Sequence, residues 1–202
     1  LKKTIKLIIL IFLFLFVHCY SYSVEEETLV IFDASVSMLD DFGGAPKYIT
    51  AVNETKNVLN MMPETKKIGL RTIGVTIDEA FFSLITNPSN LCKSTKLLVP
   101  IRGNSIEYIK NSLDSIFPLG TTPLTYTLDL AINYDFTNAY VLKHIILITD
   151  GAESCNGDPC KYIRELMAVR KDIKIDILAI GVNKEDFSQL RCLTDSTNGT
   201  IV

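Results

Sequence analysis

Two carboxylates and two hydroxyls in this chain have the types and spacing of a cation site. Asp33, Ser35 and Ser37 follow an apolar run within the stretch IFDASVSMLDDFGG, and Asp150 directly follows the apolar run HIILIT at 144–149. Two carboxylates that lie close together repel, so either one takes a proton or a cation lies between them. All four groups offer hard oxygen ligands, which suit Mg²⁺, Mn²⁺ or Ca²⁺ better than zinc or copper.

A fifth oxygen donor is predicted from the stretch GTTPL, where Thr122 stands immediately before Pro123. Each of these residues also has a purely structural interpretation. An Asp after a strand often caps the next helix, Ser residues are common in turns, and Thr before Pro is a favourable helix N-cap. We favour a shared site because the groups follow separate elements yet have matching chemistry.

The elements that would position these residues alternate between strands and helices. Apolar runs with strand character cover 28–33, 68–76, 96–99, 144–149, 174–180 and 200–202, with a further short piece at 81–84. Helical spacing of apolar residues covers 46–62, 105–117, 123–134, 159–171 and 184–194. This order predicts an α/β fold with a Rossmann-like, doubly wound, mostly parallel central sheet flanked by helices. Ligands bind such sheets at the carboxyl ends of the strands, where the strand order reverses.

The three motifs together resemble the von Willebrand factor A (VWA) domain family. Its metal-ion-dependent adhesion site (MIDAS) uses a D-x-S-x-S motif, a later Thr and a later Asp, which match Asp33, Ser35, Ser37, Thr122 and Asp150 here. The resemblance covers residues 25–202, and ITDGAESCNGDPC looks like a bacterial exported subgroup in which a Cys pair follows the Asp. It implies about six strands with one short antiparallel edge strand. It also implies a Mg²⁺ site, with Mn²⁺ or Ca²⁺ as alternatives, completed by a carboxylate from a protein partner.

One departure from the family pattern lies at the carboxyl-terminal end of the sequence. Family members usually continue past the last strand into a final helix, whereas this sequence stops at Val202. We therefore expect residues 24–202 to form a single VWA-like domain without that helix. An incomplete sheet edge and a chain that is part of a longer protein are both open alternatives.

The first 23 residues have the layout of a secretory signal peptide. Lys2, Lys3 and Lys6 precede the unbroken apolar run Leu7–Val17, and small or polar residues follow it. Eleven residues of helix span about 16 Å, short of the roughly 30 Å hydrocarbon core of a bilayer. We predict an exported protein, periplasmic or secreted. The alternatives are an uncleaved membrane anchor and lipidation of Cys19.

The remaining four cysteines favour two disulfides, as expected in an oxidising compartment. Cys155 and Cys160 are close together in CNGDPC, which predicts a local Cys155–Cys160 pair and, by elimination, a Cys92–Cys192 pair. Three connectivities are possible. A zinc site is the rival interpretation, but its ligand spacing is a weak match.

The net charge argues against one class of partner, and the resemblance implies a binding module. The 202 residues carry a net charge of −3, which argues against nucleic acid as a partner. We expect a metal-dependent adhesion module rather than an enzyme, with a partner-binding rim formed by Met38, Asp40, Asp41, Phe42 and Glu153. The alternatives are a metal-dependent hydrolase of the cell envelope and an envelope assembly protein with a vestigial site.

Overall fold

Within the residues that the structure describes, the central sheet contains five strands and lies between two layers of helices. The structure is a computed structural model that describes residues 25–74 and 88–202. Its strands are β1 (Glu26–Asp33), β2 (Ile68–Ile73), β3 (Thr95–Arg102), β4 (Leu142–Thr149) and β5 (Ile173–Ala179). Their order across the sheet is β3-β2-β1-β4-β5, with β3 antiparallel to β2 and every other pairing parallel. The predicted α/β class and mostly parallel sheet are confirmed.

Strand β1 occupies the centre of the sheet because its side chains are apolar on both faces. Leu29 and Ile31 face one core, while Val30 and Phe32 face the other, and all four are almost completely buried. A strand with both faces buried is the expected centre of a parallel sheet covered by helices.

Five α-helices of the described residues cover the sheet, close to the predicted positions. They are α1 (Lys47–Asn60), α2 (Ile106–Asp114), α3 (Leu124–Leu130), α4 (Pro159–Val169) and α5 (Lys184–Thr197). Residues of α1 and α2 pack with Val30 and Phe32, and residues of α3, α4 and α5 pack with Leu29 and Ile31. A π-helix (Ala131–Asp135) extends α3, and short 3₁₀ helices cover Val36–Leu39 and Pro88–Lys93.

The strand order reverses between β1 and β4, which are direct neighbours. Phe32 of β1 pairs with Ile148 of β4 in register, so both strands end at the same level. From this position the chain continues to β2 on one side and to β5 on the other. Asp33 and Asp150 therefore lie next to each other at the carboxyl edge of the sheet, where sequence reasoning placed the site.

A sixth strand position is occupied by a single residue pair. Ile201 forms a parallel bridge to Ile177 of β5, and the Val202 amide donates to the Ile177 carbonyl over 3.0 Å. The strand expected at 200–202 therefore begins where it was predicted. Three predicted features lie outside the described residues: the short piece at 81–84, the end of the strand at 68–76, and the predicted signal peptide with Cys19. Within the described ranges, no helix is long and apolar enough to cross a membrane.

The two disulfides connect different partners from those predicted. Cys92 is bonded to Cys155 with a Cα–Cα distance of 5.4 Å, and Cys160 is bonded to Cys192 with a Cα–Cα distance of 5.7 Å. The predicted Cys155–Cys160 and Cys92–Cys192 pairs are therefore wrong. The number of disulfides is as predicted, but nearness in sequence selected the wrong partners.

The turn between Cys155 and Cys160 explains this difference. Asn156 adopts a left-handed backbone conformation, with φ of 62°. Asp158 then caps α4 by accepting a hydrogen bond from the Lys161 amide. Cys160 therefore lies in the first turn of α4 and reaches α5, while Cys155 stays in the preceding loop. A disulfide requires suitable Cβ directions as well as proximity, and the helix start separates the two directions.

Candidate metal site

Asp33 is the buried end of the site. Its side chain has no exposed surface. The Ser35 amide donates to Asp33 Oδ1 over 2.9 Å, and Thr149 Oγ1 donates to Asp33 Oδ2 over 2.6 Å. Thr149 is the last residue of β4, so the pairing of β1 with β4 brings its hydroxyl to the carboxylate. These two bonds fix the orientation of the Asp33 side chain.

A chain of hydrogen bonds joins the two serines to the second carboxylate. Ser35 Oγ and Ser37 Oγ lie 3.0 Å apart, and Ser37 Oγ donates to Asp150 Oδ1 over 2.9 Å. The 3₁₀ helix Val36–Leu39 begins after Ser35 and turns the loop back over the strand ends. The structure thus brings together four of the five predicted oxygen-bearing residues through direct contacts.

The fifth predicted residue, Thr122, lies in a loop held against the loop after β1. The Val36 amide donates to the Gly120 carbonyl over 3.1 Å, and the Leu119 amide donates to the Ala34 carbonyl over 2.7 Å. Thr122 is buried, and it precedes Pro123, which occupies the N-cap position of α3 and makes no side-chain capping bond. Thr122 is therefore not the N-cap of the helix, although its Thr-Pro sequence favours that role.

Burial and charge make Asp33 easy to protonate. Removal from water raises the pKa of Asp33 to about 6, although hydrogen bonds from Thr149 and Ser35 oppose the rise and the charge of Asp150 adds to it. A bound cation would remove the repulsion between the two carboxylates. Hard oxygen donors and closely placed carboxylates therefore fit a divalent ion.

Lys47 is an unpredicted member of the site. It is the first residue of α1, and its Nζ lies 2.8 Å from Asp150 Oδ2 and 3.6 Å from Asp40 Oδ2. Burial lowers the pKa of Lys47, but hydrogen bonding and the charges of Asp150 and Asp40 outweigh that effect and raise it overall. The lysine is therefore an ammonium ion in direct contact with a predicted metal ligand.

The predicted partner-binding rim is only partly where we expected it. Asp40, Asp41 and Phe42 are exposed near the site, with Phe42 46% exposed. Met38 is completely buried, because the 3₁₀ helix directs it into the core beside Phe32, so its assignment to the rim is wrong.

The carboxylate of Glu153, the remaining predicted rim residue, accepts hydrogen bonds from two backbone amides of the same domain. One carboxylate oxygen accepts the Thr125 amide and the other accepts the Cys155 amide, each over 2.7 Å. Its carboxylate therefore ties the loop after β4 to the start of α3.

Three residues that sequence reasoning missed support the site. Thr149 orients Asp33 and Lys47 contacts Asp150, as described above. Ser154 pairs with Thr122, because the Thr122 amide donates to Ser154 Oγ over 2.7 Å and the Ser154 amide donates to the Thr122 carbonyl over 3.1 Å. Thr149 could have been found from its position beside Asp150 at the end of a strand next to β1. Neither Lys47 nor Ser154 belongs to a sequence motif that would have indicated its role.

The sequence resembles two bacterial proteins and matches no family model. It is 26% identical over 163 residues to the uncharacterized protein YwmD of Bacillus subtilis, which covers 80% of this chain and 71% of YwmD. It is 25% identical over 171 residues to the uncharacterized protein YwmC of the same organism, covering 84% of this chain and 73% of YwmC.

Solved structures share the fold at low sequence identity. A von Willebrand factor type A structure from Catenulispora acidiphila aligns with a TM-score of 0.63 at 19% identity, covering 89% of this chain and 38% of that one. Proximal thread matrix protein 1 from the mussel byssus, in a structure with a zinc-occupied MIDAS motif, aligns with a TM-score of 0.62 at 19% identity. That match covers 89% of this chain and 42% of the mussel protein.

A third structure, the manganese-loaded TRAP protein of Plasmodium vivax, aligns with a TM-score of 0.57 at 17% identity. It covers 82% of this chain and 62% of that one. This chain thus spans less than half of the Catenulispora and mussel chains, and less than two thirds of the Plasmodium chain. The described part of this protein has the fold of a VWA domain.

Proposed function

We propose that this protein is an exported, metal-dependent binding module with a MIDAS-type site. The observation that carries the proposal is the hydrogen-bonded series from Asp33 through Ser35 and Ser37 to Asp150, at the strand reversal of a VWA fold. With Thr122 in the adjoining loop, these residues would hold one divalent cation. The ion would act as a Lewis acid that attracts an acidic group.

The ligand chemistry favours Mg²⁺, with Mn²⁺ or Ca²⁺ as alternatives. The candidate ligands are all oxygens, and the described residues contain no cluster of three or more His, Cys, Asp or Glu side chains suited to a metal. Zinc and copper sites draw on imidazole or thiolate ligands, which this set does not include. The zinc-occupied MIDAS motif in the mussel protein and the manganese-loaded Plasmodium protein indicate that domains of this fold accept several divalent ions.

The charge balance of the site supports a partner that supplies a carboxylate. Asp33 and Asp150 together offset the charge of one divalent ion, the hydroxyl ligands are neutral, and the nearby ammonium of Lys47 adds one positive charge. An ion held this way keeps its attraction for a further anionic ligand, which a protein partner would offer through Asp or Glu. The exposed side chains of Val36, in the 3₁₀ helix, and Phe42, in the loop that follows it, provide apolar contact area for such a partner.

Export and a non-enzymatic role form part of the same proposal. The two disulfides suit an oxidising compartment outside the cytosol, periplasmic or extracellular. His144 is the third residue of β4, away from the carboxyl end of the strand that Asp150 follows, and it is hydrogen-bonded to Glu26 and Asp176. It is therefore not a base for hydrolysis at the candidate metal site. A screen for phosphoester turnover, with Asp33→Asn as the control, tests this point, and turnover that the variant loses would favour a hydrolase.

Metal-dependent stabilisation is the direct test of the site. A ligand present at 100 times its dissociation constant stabilises the folded state by about 2.7 kcal/mol, so Mg²⁺ or Mn²⁺ should raise the melting temperature. Asp33→Asn and Asp150→Asn should abolish the rise. Asp195→Asn is the matched control, because Asp195 is an exposed helix residue whose contact is Arg191. If both site variants respond to metal as the parent does, the assignment is wrong.

The partner class has its own test. Purified domain immobilised as bait should retain an envelope or extracellular protein in the presence of Mg²⁺ and release it on addition of chelator. Asp150→Asn should fail to retain that protein, whereas Asp195→Asn should retain it. Retention that is insensitive to chelator would contradict binding through the metal.

A further inference from the structure

Lys47 occupies a built position within the candidate metal site. Its side chain is 13% exposed, and the Asp150 side chain that it contacts is 1% exposed. The Asp150 oxygen that Lys47 contacts is Oδ2, while the other oxygen accepts from Ser37. Both oxygens of this predicted metal ligand therefore already have partners within the chain.

The surroundings of Lys47 hold its ammonium group in place. A Cβ atom added to Gly181 would lie 3.1 Å from Lys47 Cε and 3.0 Å from Phe42 Cδ2, so the absence of a side chain at Gly181 makes room for both. The Lys47 amide donates to the Asp40 carbonyl over 3.0 Å, which joins the start of α1 to the loop after the 3₁₀ helix. These contacts distinguish Lys47 from a surface lysine that ranges freely through solvent.

We propose that Lys47 is a built-in counter-ion of the metal site, which competes with the divalent cation for Asp150 and thereby sets the affinity of the site. The inference rests on the proposed metal-binding function. A fixed positive charge next to a ligand repels an incoming cation and attracts the carboxylate that the cation needs. Lys47 therefore offsets the negative charge of the carboxylates when metal is scarce. Its presence raises the metal concentration that is needed to load the site.

The proposal also links metal loading to the loop that forms the rim. Lys47 contacts Asp150 on one side and Asp40 on the other, so an ion that takes over Asp150 leaves Asp40 as the remaining carboxylate partner of the ammonium. Asp40 and Phe42 belong to the exposed loop above the site. Loading would thus shift the lysine toward this loop and change the surface that a partner meets.

The experiment compares metal affinity in three variants by calorimetric titration with Mn²⁺. Lys47→Met keeps the stem of the side chain and removes the charge, and it should tighten the dissociation constant by about tenfold. Lys47→Arg keeps the charge and should stay close to the parent. Lys56→Met is the matched control, because Lys56 is another lysine of α1 whose ion pair, with Asp114, lies away from the site.

Thermal unfolding provides a second readout that a merely structural lysine would not produce. In chelator, Lys47→Met should melt below the parent, because Asp150 loses its positive partner. In saturating Mn²⁺ its melting temperature should rise by more than that of the parent, so that the difference between the two proteins shrinks or reverses. Lys56→Met should show the same metal-dependent rise as the parent.

The outcomes separate this inference from the proposed function. Metal binding by the parent with equal or weaker binding by Lys47→Met would overturn the role of Lys47 and leave the metal site standing. Binding by Lys47→Met alone would support both, since the lysine then excludes the ion. If neither protein binds metal, both the proposed function and this inference fail.

Discussion

Removal of the Cys92–Cys155 disulfide should weaken metal binding as well as stability. The bond lies beside the loop that carries Thr122. Thr121 Oγ1 donates to the carbonyl of Leu91 over 2.8 Å and lies 3.3 Å from Cys155 Sγ. Replacing Cys92 and Cys155 with alanine therefore removes the covalent link between the two segments that contact Thr121, the one at Leu91 and the one at Cys155.

The chain-entropy model gives the size of the stability loss. The cysteines of this bond are 63 residues apart, and closing a loop of that length is worth about 4.3 kcal/mol at 25 °C. The Cys160–Cys192 bond closes 32 residues and is worth about 3.7 kcal/mol in the same model. Because the two values are close, loss of the second bond is a matched control for loss of the first.

The two double variants should differ in metal affinity. Groups that position a metal ligand typically contribute 10–100-fold to affinity, so Cys92→Ala/Cys155→Ala should weaken the dissociation constant for Mn²⁺ by about tenfold. Cys160→Ala/Cys192→Ala should leave it close to the parent value, because that bond joins α4 to α5. Urea unfolding measures the stability of each protein, and calorimetric titration at a temperature where each is folded measures the affinity.

Equal metal affinity in the two double variants would refute the reasoning. So would a loss of affinity confined to Cys160→Ala/Cys192→Ala. A third variant, Ser154→Ala, removes the hydroxyl that accepts the Thr122 amide and leaves both disulfides intact. It should weaken metal binding in the same direction as loss of Cys92–Cys155.

Two further predictions concern ion pairs away from the site. Burial raises the pKa of Asp176, but hydrogen bonds from Lys174 and His144 outweigh this and lower it to about 2. The resulting stabilisation is complete above about pH 4 and is lost as pH falls through 2, so Asp176→Asn should flatten the acid limb of a urea-unfolding series. Arg71 donates twice to buried Asp135, over 2.6 and 2.8 Å. Arg71→Met should cost about 3–5 kcal/mol in urea unfolding and Arg71→Met/Asp135→Leu clearly less, whereas equal losses would contradict the cost of an unpaired buried carboxylate.

Much of the fold was predictable because the apolar pattern records burial directly. Strand β1 is buried on both faces, and its apolar run predicted a buried strand. Because parallel strands end at one edge, Asp33 and Asp150 could be placed together without knowledge of the intervening chain. Their contacts with Ser35 and Ser37 follow from the same local spacing.

The errors arose where side-chain direction matters more than position in the chain. Met38 lies next to a predicted ligand, yet the 3₁₀ helix turns it into the core. Cys155 and Cys160 are neighbours in sequence, yet the start of α4 sends them to different partners. Lys47 belongs to no motif, and only the packing of α1 against the 3₁₀ helix and β4 brings its ammonium to Asp150. Each of these depends on a local turn geometry that apolar periodicity does not encode.

The direction of β1 sets the distance between the point where the chain enters the sheet and the candidate metal site. The chain enters the sheet at Glu26, at the amino edge, and reaches Asp33 seven residues later at the opposite edge. At about 3.3 Å per residue, the strand separates these two ends by roughly 23 Å. The candidate metal site therefore lies at the opposite end of the sheet from the point where the chain enters it.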